Sequence, residues 1–306
     1  MTRIARRPLD GVLLFDKPLA LSSNIALQKV RRLFQAEKAG HTGTLDPLAT
    51  GLLPICFGEA TKFSNSLLES DKTYRASIRL GQTTTTGDAE GEITGTCAVA
   101  LEPAQVSAAL RNFIGEIQQI PPMHSAIKHQ GKPLYEYIRK GETIERASRR
   151  VTVYELVLER FEGDELDISV RCSKGTYIRT LAEDIGQSLG CGAHLRGLRR
   201  TAIGRFQLQD AHTLDQLEAM TLAQRDACLL PADSLLQTLP ILKLDAVQTT
   251  RIAQGQRLAM EGAQTDGKVR LYGAEGQFIG VGMLEGQCLT SNRLLSSVAR
   301  NAAGVE

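Results

Sequence analysis

Asp46 is a carboxylate set in a run of turn-formers and small hydroxyl residues, from Gly40 through His41, Thr42, Gly43 and Thr44 to Pro47. A single acid held in this way can act as nucleophile or base, or can stabilise a positive centre, as carboxylates do in glycoside chemistry. Its neighbours supply the holding. Gly40 and Gly43 permit backbone that other residues resist, and Pro47 fixes its own φ while pushing the preceding residue out of the α region. Asp46 is therefore expected on an extended or turn backbone. Leu48, Leu52 and Leu53 recur at helical spacing and are expected to anchor the following segment in a core. An Asx turn or helix cap is the plainer reading of an Asp-Pro pair, and the surrounding pattern weighs against it.

The stretch from Gly40 to Leu53 resembles, nearly letter for letter, the signature of bacterial tRNA pseudouridine synthases of the TruB family. Further segments follow in family order: Gly11 to Pro18 with Ser22 to Asn24, Gly58 to Lys62, Lys72 to Tyr74, Pro121 to Met123 with Ser125 and Ala126, Leu134 and Tyr135, Ser173 to Arg179, and Leu198 to Thr201. The likeness spans roughly residues 10–210.

The resemblance implies an isomerase that converts uridine 55 in the T-loop of tRNA to pseudouridine. That reaction breaks an N-glycosidic bond, turns the base and joins C5 to the sugar, so it requires no redox cofactor, metal or nucleotide energy. By resemblance Asp46 is the carboxylate near C1′ and C6. Tyr74 would stack on the flipped base near C5, Tyr177 would line the same pocket, Arg179 would pair with Asp46, and Leu198 would pack on the base. His41 would wedge into the gap left by flipped nucleotides. Lys17 and Lys62 resemble supports or phosphate contacts. The target base must leave its stack before any of this happens. The implied partner is tRNA, gripped at the T-arm by a cytoplasmic, monomeric protein without guide RNA or membrane. A tRNA-folding chaperone is the alternative; of the two, only the enzyme needs Asp46, Tyr74 and Arg179 together.

Departures from the family pattern are few. Ala20 stands where glycine is frequent, so the Lys-Pro turn is expected to be tighter or shifted. Gly87 replaces a usual serine or threonine, and His124 a frequent tyrosine.

Composition agrees with a folded cytosolic protein. The 306 residues are 42% hydrophobic, which argues against disorder, and no apolar run approaches the length of a membrane span. Met1 to Pro8 is basic without an apolar stretch, unlike a signal peptide. The six cysteines are scattered and read as small buried hydrophobes. Histidine spacing shows no zinc motif, and Asp88 to Glu92 lacks the spacing of a calcium loop. Net charge is only +2, but arginines and lysines cluster at Arg3 to Arg7, Lys29 to Arg32, Arg146 to Arg150 and Arg196 to Arg205, as phosphate contacts or solvated faces.

Local patterns place the elements. Gly11 to Phe15 and Tyr74 to Leu80 read as strands, and Ser22 or Ser23 caps a helix. Pro103 opens a second helix, with Val106, Leu110, Phe113 and Ile114 on its buried face. A short helix lies between Pro133 and Gly141. Val151 to Phe161 and Leu166 to Cys172 form a hairpin, a helix runs from Thr176 to about Gly190, and residues 194–208 read as a strand. Thr213 to Gln216 is a capping box. Leu230 to Pro240 reads as a linker. The expected fold is α+β: a catalytic domain over 1–235 with a mixed, mainly antiparallel sheet and flanking helices. An insertion at about 120–150 would grip RNA, and a β-rich piece over 241–306 resembles a PUA domain.

Overall fold

The structure, a computed structural model, describes residues 6–123, 125, 127–138, 141–142, 144–262 and 266–298. The His124 departure lies outside the described residues, as does Arg3. The chain forms one large sheet with flanking helices, and a smaller sheet near the C-terminus. The fold is α+β, as expected.

The large sheet runs, edge to edge, through His212–Thr213, Gly11–Lys17, Ala49–Phe57, Ala193–Ile203, Lys72–Leu80, Glu165–Cys172, Arg149–Glu162 and Gly115–Gln119. It is mixed but mainly antiparallel. Parallel pairing occurs between Gly11–Lys17 and His212–Thr213, and between Ala49–Phe57 and Ala193–Ile203. Ala39–His41 adds to the far half of Ala49–Phe57, whose near half is taken by Ala193–Ile203.

Ala49–Phe57 corrects the helical reading of Leu48, Leu52 and Leu53. Leu53, Ile55 and Phe57 enter one core with Leu13, Phe15 and the helix residues Ala26 and Val30. Leu52 and Cys56 enter a second core on the other face with Val12, Leu14, Phe63 and Ile203. A strand buried on both faces is apolar throughout, so the period-2 signal vanishes and chance spacings imitate a helix.

Most other elements fall where their local signals put them. Ser22 caps Ser23–Leu33, accepting from the Ile25 N–H at 3.2 Å. Pro103–Arg111 begins at its proline, but Ile114 lies beyond the helix and is exposed rather than part of its buried face. Residues 194–208 divide: Ala193–Ile203 turns at Gly204 into the short strand Phe206–Gln207. The supposed linker is a packed segment. Its short helix Ala232–Leu236 buries Leu235 and Leu236 in the second core beside Val281 of the small sheet. The two sheets are joined through that core.

All six cysteines are free, but only Cys56, Cys172 and Cys191 are buried, and Cys97 is exposed. Among the described residues no helix is long and apolar enough to cross a membrane.

Candidate active site

The loop bearing Asp46 leads into the centre of the large sheet and is pinned at many points. Ser23, buried at the start of its helix, donates to the Leu45 carbonyl at 2.8 Å and accepts the Leu45 N–H at 2.7 Å. The Ala49 N–H closes a turn on the Asp46 carbonyl at 3.0 Å with Pro47 second in it, the position its fixed φ suits. The Ala20 N–H reaches the Pro47 carbonyl at 3.0 Å, and Thr42 N–H the Pro54 carbonyl at 3.1 Å.

Ala20 achieves its contact at φ 65°, in the left-handed region. The turn therefore holds an alanine on a backbone that favours glycine, at some strain. Lys17 stands beneath it, 0% exposed, donating to the Pro18 and Leu21 carbonyls at 3.0 and 2.5 Å. Burial lowers the Lys17 ammonium to about 8, against the pull of the Asp46 charge. Two of its three donors are spent on the turn.

A pocket of about 390 Å³ opens over this loop, within the usual size of small-ligand sites. Asp46, Tyr74, Tyr177, Arg179, Leu198 and Arg200 are among its lining. Tyr74 comes from Lys72–Leu80 and Leu198 from the adjoining Ala193–Ile203. Tyr177 precedes the helix Ile178–Ser188, and its backbone is clamped by the buried Gln119 amide, which accepts the Tyr177 N–H at 3.0 Å and donates to its carbonyl at 3.2 Å. Burial raises the phenol pKa of both tyrosines, so both are neutral aromatic walls at ordinary pH.

Arg179, on the first turn of that helix, turns into the site. Its Nη2 lies 3.0 Å from Asp46 Oδ2 and its Nη1 lies 3.3 Å from Asp88 Oδ2. Asp88 also accepts from Thr86 Oγ1 at 2.5 Å and from the Glu90 N–H at 3.1 Å. The arrangement presents one oriented carboxylate to an aromatic and apolar slot, which suits attack on, or stabilisation of, a sugar carbon beside a planar base. At Gly87, φ is 73° and a Cβ would stand 2.8 Å from the Glu183 carboxyl, so a side chain there is strained and displaces Glu183.

Three expected residues lie away from the lining: Lys17, under the turn, and His41 and Lys62. His41 sits on Ala39–His41 with its Nδ1 buried and unbonded; burial, then the nearby Arg200 charge, holds its imidazole below the ordinary range. Lys62 pairs with Glu59 at 2.8 Å and donates to Leu294 O and Ser296 Oγ at 3.0 and 2.8 Å, at the joint with the small sheet.

Sequence reasoning missed Asp88 and Arg200. Asp88 was weighed only as part of an acidic run, and nothing local marks it as the partner of a distant arginine. Arg200 falls in the family-like segment Leu198 to Thr201, but the sequence gives it no role beyond a basic cluster that reads as phosphate contacts or a solvated face. Several cations of the basic clusters are in fact tied up: Arg7 with Asp226, Arg199 with Asp16 at 2.6 Å, Arg196 with Glu165 and Arg150 with Glu116 at 3.2 Å.

Comparison with known proteins gives a consistent set of matches. A family model described as TruB family pseudouridylate synthase, N terminal domain, matches residues 31–178. One described as tRNA pseudouridylate synthase B C-terminal domain matches 179–237, and one described as Pseudouridine synthase II TruB, C-terminal, matches 240–295. The curated tRNA pseudouridine synthase B of Burkholderia mallei (strain ATCC 23344) is 56% identical over 299 residues, covering 96% of each chain. That of Methylobacillus flagellatus is 55% identical over 277 residues, 90% of this chain and 92% of the relative. Among solved structures, a chain of a Cbf5-Nop10-Gar1 complex superposes with a TM-score of 0.72 at 25% identity, over 93% of this chain and 84% of that one. A chain of an archaeal box H/ACA sRNP Nop10-Cbf5 complex, at TM-score 0.69 and 23% identity over 93% of this chain and 85% of that one, shares the fold.

Proposed function

We infer that this chain, which belongs to the TruB family of pseudouridylate synthases, isomerises uridine 55 in the T-loop of tRNA to pseudouridine. The observation that carries the reading is the Asp46 carboxylate, oriented by Arg179 at the mouth of a slot walled by Tyr74, Tyr177 and Leu198.

In this reading the tRNA is gripped at its T-arm and uridine 55 is flipped into the slot between Tyr74 and Leu198. His41 fills the gap in the stack. Asp46 supplies electrons at C1′ or C6 as the N-glycosidic bond breaks, and Arg179 holds the carboxylate in place. The freed uracil turns while the two tyrosines keep it from leaving. C5 then bonds to C1′, and the C5 proton is lost beside the Tyr74 phenol. The N1–C1′ bond is replaced by C5–C1′ and the C5–H bond by N1–H. Asp46 is released as a free carboxylate as C5–C1′ forms, the C5 proton passes to water and N1 takes one up, so the chemistry balances with water as the only proton exchanger.

Residues 1–235 form the catalytic domain in this reading, the insertion at about 120–150 grips RNA, and 241–306 is a PUA-like RNA-binding domain. The protein acts as a cytoplasmic monomer without guide RNA. Its relatives are tRNA pseudouridine synthases of nearly the same length, which supports this over the multi-protein assemblies of its structural neighbours. The test is incubation with unmodified tRNA carrying tritium at uridine C5. Release of one label per tRNA, abolished when uridine 55 is replaced by cytidine, is expected. Binding without release would favour a tRNA-folding chaperone.

A further inference from the structure

Gln119 ends the edge strand Gly115–Gln119 and is 2% exposed. Alternate side chains of a strand share a face, and Ile117, two residues before it, packs against the core that holds Phe15 and Leu53. The position therefore calls for an apolar residue, yet it holds an amide. A buried amide must be satisfied, and this one spends itself on a single backbone unit. Oε1 accepts the Tyr177 N–H at 3.0 Å, and Nε2 donates to the Tyr177 carbonyl at 3.2 Å. That carbonyl also accepts the Leu181 N–H at 3.0 Å.

The clamp joins two parts of the pocket. One is the start of the helix Ile178–Ser188, where Tyr177 is the N-cap residue and its side chain makes no capping bond. Arg179 is the second helical residue, a cation at the end where the helix dipole opposes positive charge. Its reach to Asp46 and Asp88 gains from a helix start held from outside. The other part is the stem of the segment 120–148. The chain leaves the large sheet after Gln119 and returns at Arg149, and these two are cross-strand partners. Ser148 Oγ donates to Gln118 Oε1 at 2.9 Å and Arg146 Nη1 to the Pro121 carbonyl at 2.9 Å, which ties the two legs of the stem together. Ser125 and Ile127 of this segment line the pocket with Tyr177 and Arg179.

We propose that Gln119 is a positioning residue for the isomerisation: its amide locks the stem of the segment 120–148 to the Tyr177 backbone. The helix start that carries Tyr177 and Arg179 thereby keeps its register with the wall formed by Ser125 and Ile127. The inference rests on the reading of the pocket given above. A methionine at 119 is of similar length but offers no N–H and only a weak acceptor, so the Tyr177 N–H is left unbonded. A glutamate carboxylate can accept that N–H but sets an anion against the carbonyl.

A double-mutant cycle on the full chain tests this: parent, Gln119→Met, Arg179→Lys and the double variant, compared by single-turnover tritium release at saturating tRNA, tRNA binding and thermal unfolding. Gln119→Met should slow release by about 10-fold or more while tRNA binding stays within about threefold. The double variant should be no more than about threefold slower than Arg179→Lys alone, because the group whose place the amide secures has already been lost. Gln119→Glu takes the place of the methionine variant if that one is unfolded. A folded glutamine variant with parent-like release and only a lower Tm would overturn the inference and leave the pocket reading intact. Losses that multiply in the double variant, or a loss confined to tRNA binding, would do the same. Parent-like release from Arg179→Lys would instead remove the pocket reading, and the inference with it. If neither glutamine variant folds, Gln119 is a structural tie and the positioning role is overturned.

Discussion

Arg179 bridges an exposed acid to a buried one: Nη2 stands 3.0 Å from Asp46, whose side chain is 45% exposed, and Nη1 stands 3.3 Å from Asp88, which is 3% exposed. The buried acid fixes the arginine, and the arginine fixes the acid that faces the pocket. A point charge cannot serve both contacts at once. Arg179→Lys should therefore lower single-turnover release by about 100-fold, roughly 2.7 kcal/mol in barrier, with tRNA affinity nearly unchanged. Parent-like turnover would mean that Asp46 needs no oriented partner.

Ala20 offers a test of the turn beneath the site. A left-handed alanine costs about 1–2 kcal/mol, while glycine loses about 0.5–1 kcal/mol more backbone entropy on folding. Since Ala20 has φ 65° and an exposed side chain, Ala20→Gly should stabilise the protein by up to about 1 kcal/mol, read as a small rise in Tm. A fall in Tm would show that the alanine methyl makes a contact worth more than the strain.

His41 gives a pH dependence with a definite sign. Its imidazole is held below the ordinary 6.5, first by burial and then by the Arg200 charge. The unfolded chain therefore takes up a proton that the folded chain refuses as pH falls through 6.5, and stability is lost until pH passes the folded value. Denaturant unfolding at pH 7.5 and pH 5.5 should show this loss in the parent, and His41→Gln should lose less. Equal losses in both proteins would mean that His41 is solvated.

Much of the site was legible because its signals are local. Pro47 after Asp46, Ser22 before a helix and Pro103 at a helix start each act on the nearest few residues, and each element follows. What failed to show depends on distant partners. Ala49–Phe57 looked helical because the sheet buries both its faces. Arg200 showed only as part of a basic cluster because charge in a sequence carries no mark of burial. Leu230 to Pro240 looked loose, yet Leu235 and Leu236 fill a core whose other wall comes from both ends of the chain, Val12 and Val281. Asp88 gained meaning only when Arg179 was found beside it.

The central claim is that Asp46 does chemistry and is not a turn residue. Asp46→Asn keeps the shape and leaves the backbone bonds of the loop in place, including the Ala49 N–H to the Asp46 carbonyl at 3.0 Å, so the protein should stay folded. An amide is a poor nucleophile and carries no charge to stabilise a cationic sugar. Single-turnover tritium release from the asparagine variant should be undetectable while tRNA still binds. Release within about tenfold of the parent, a barrier difference of only about 1.4 kcal/mol, would contradict the assignment.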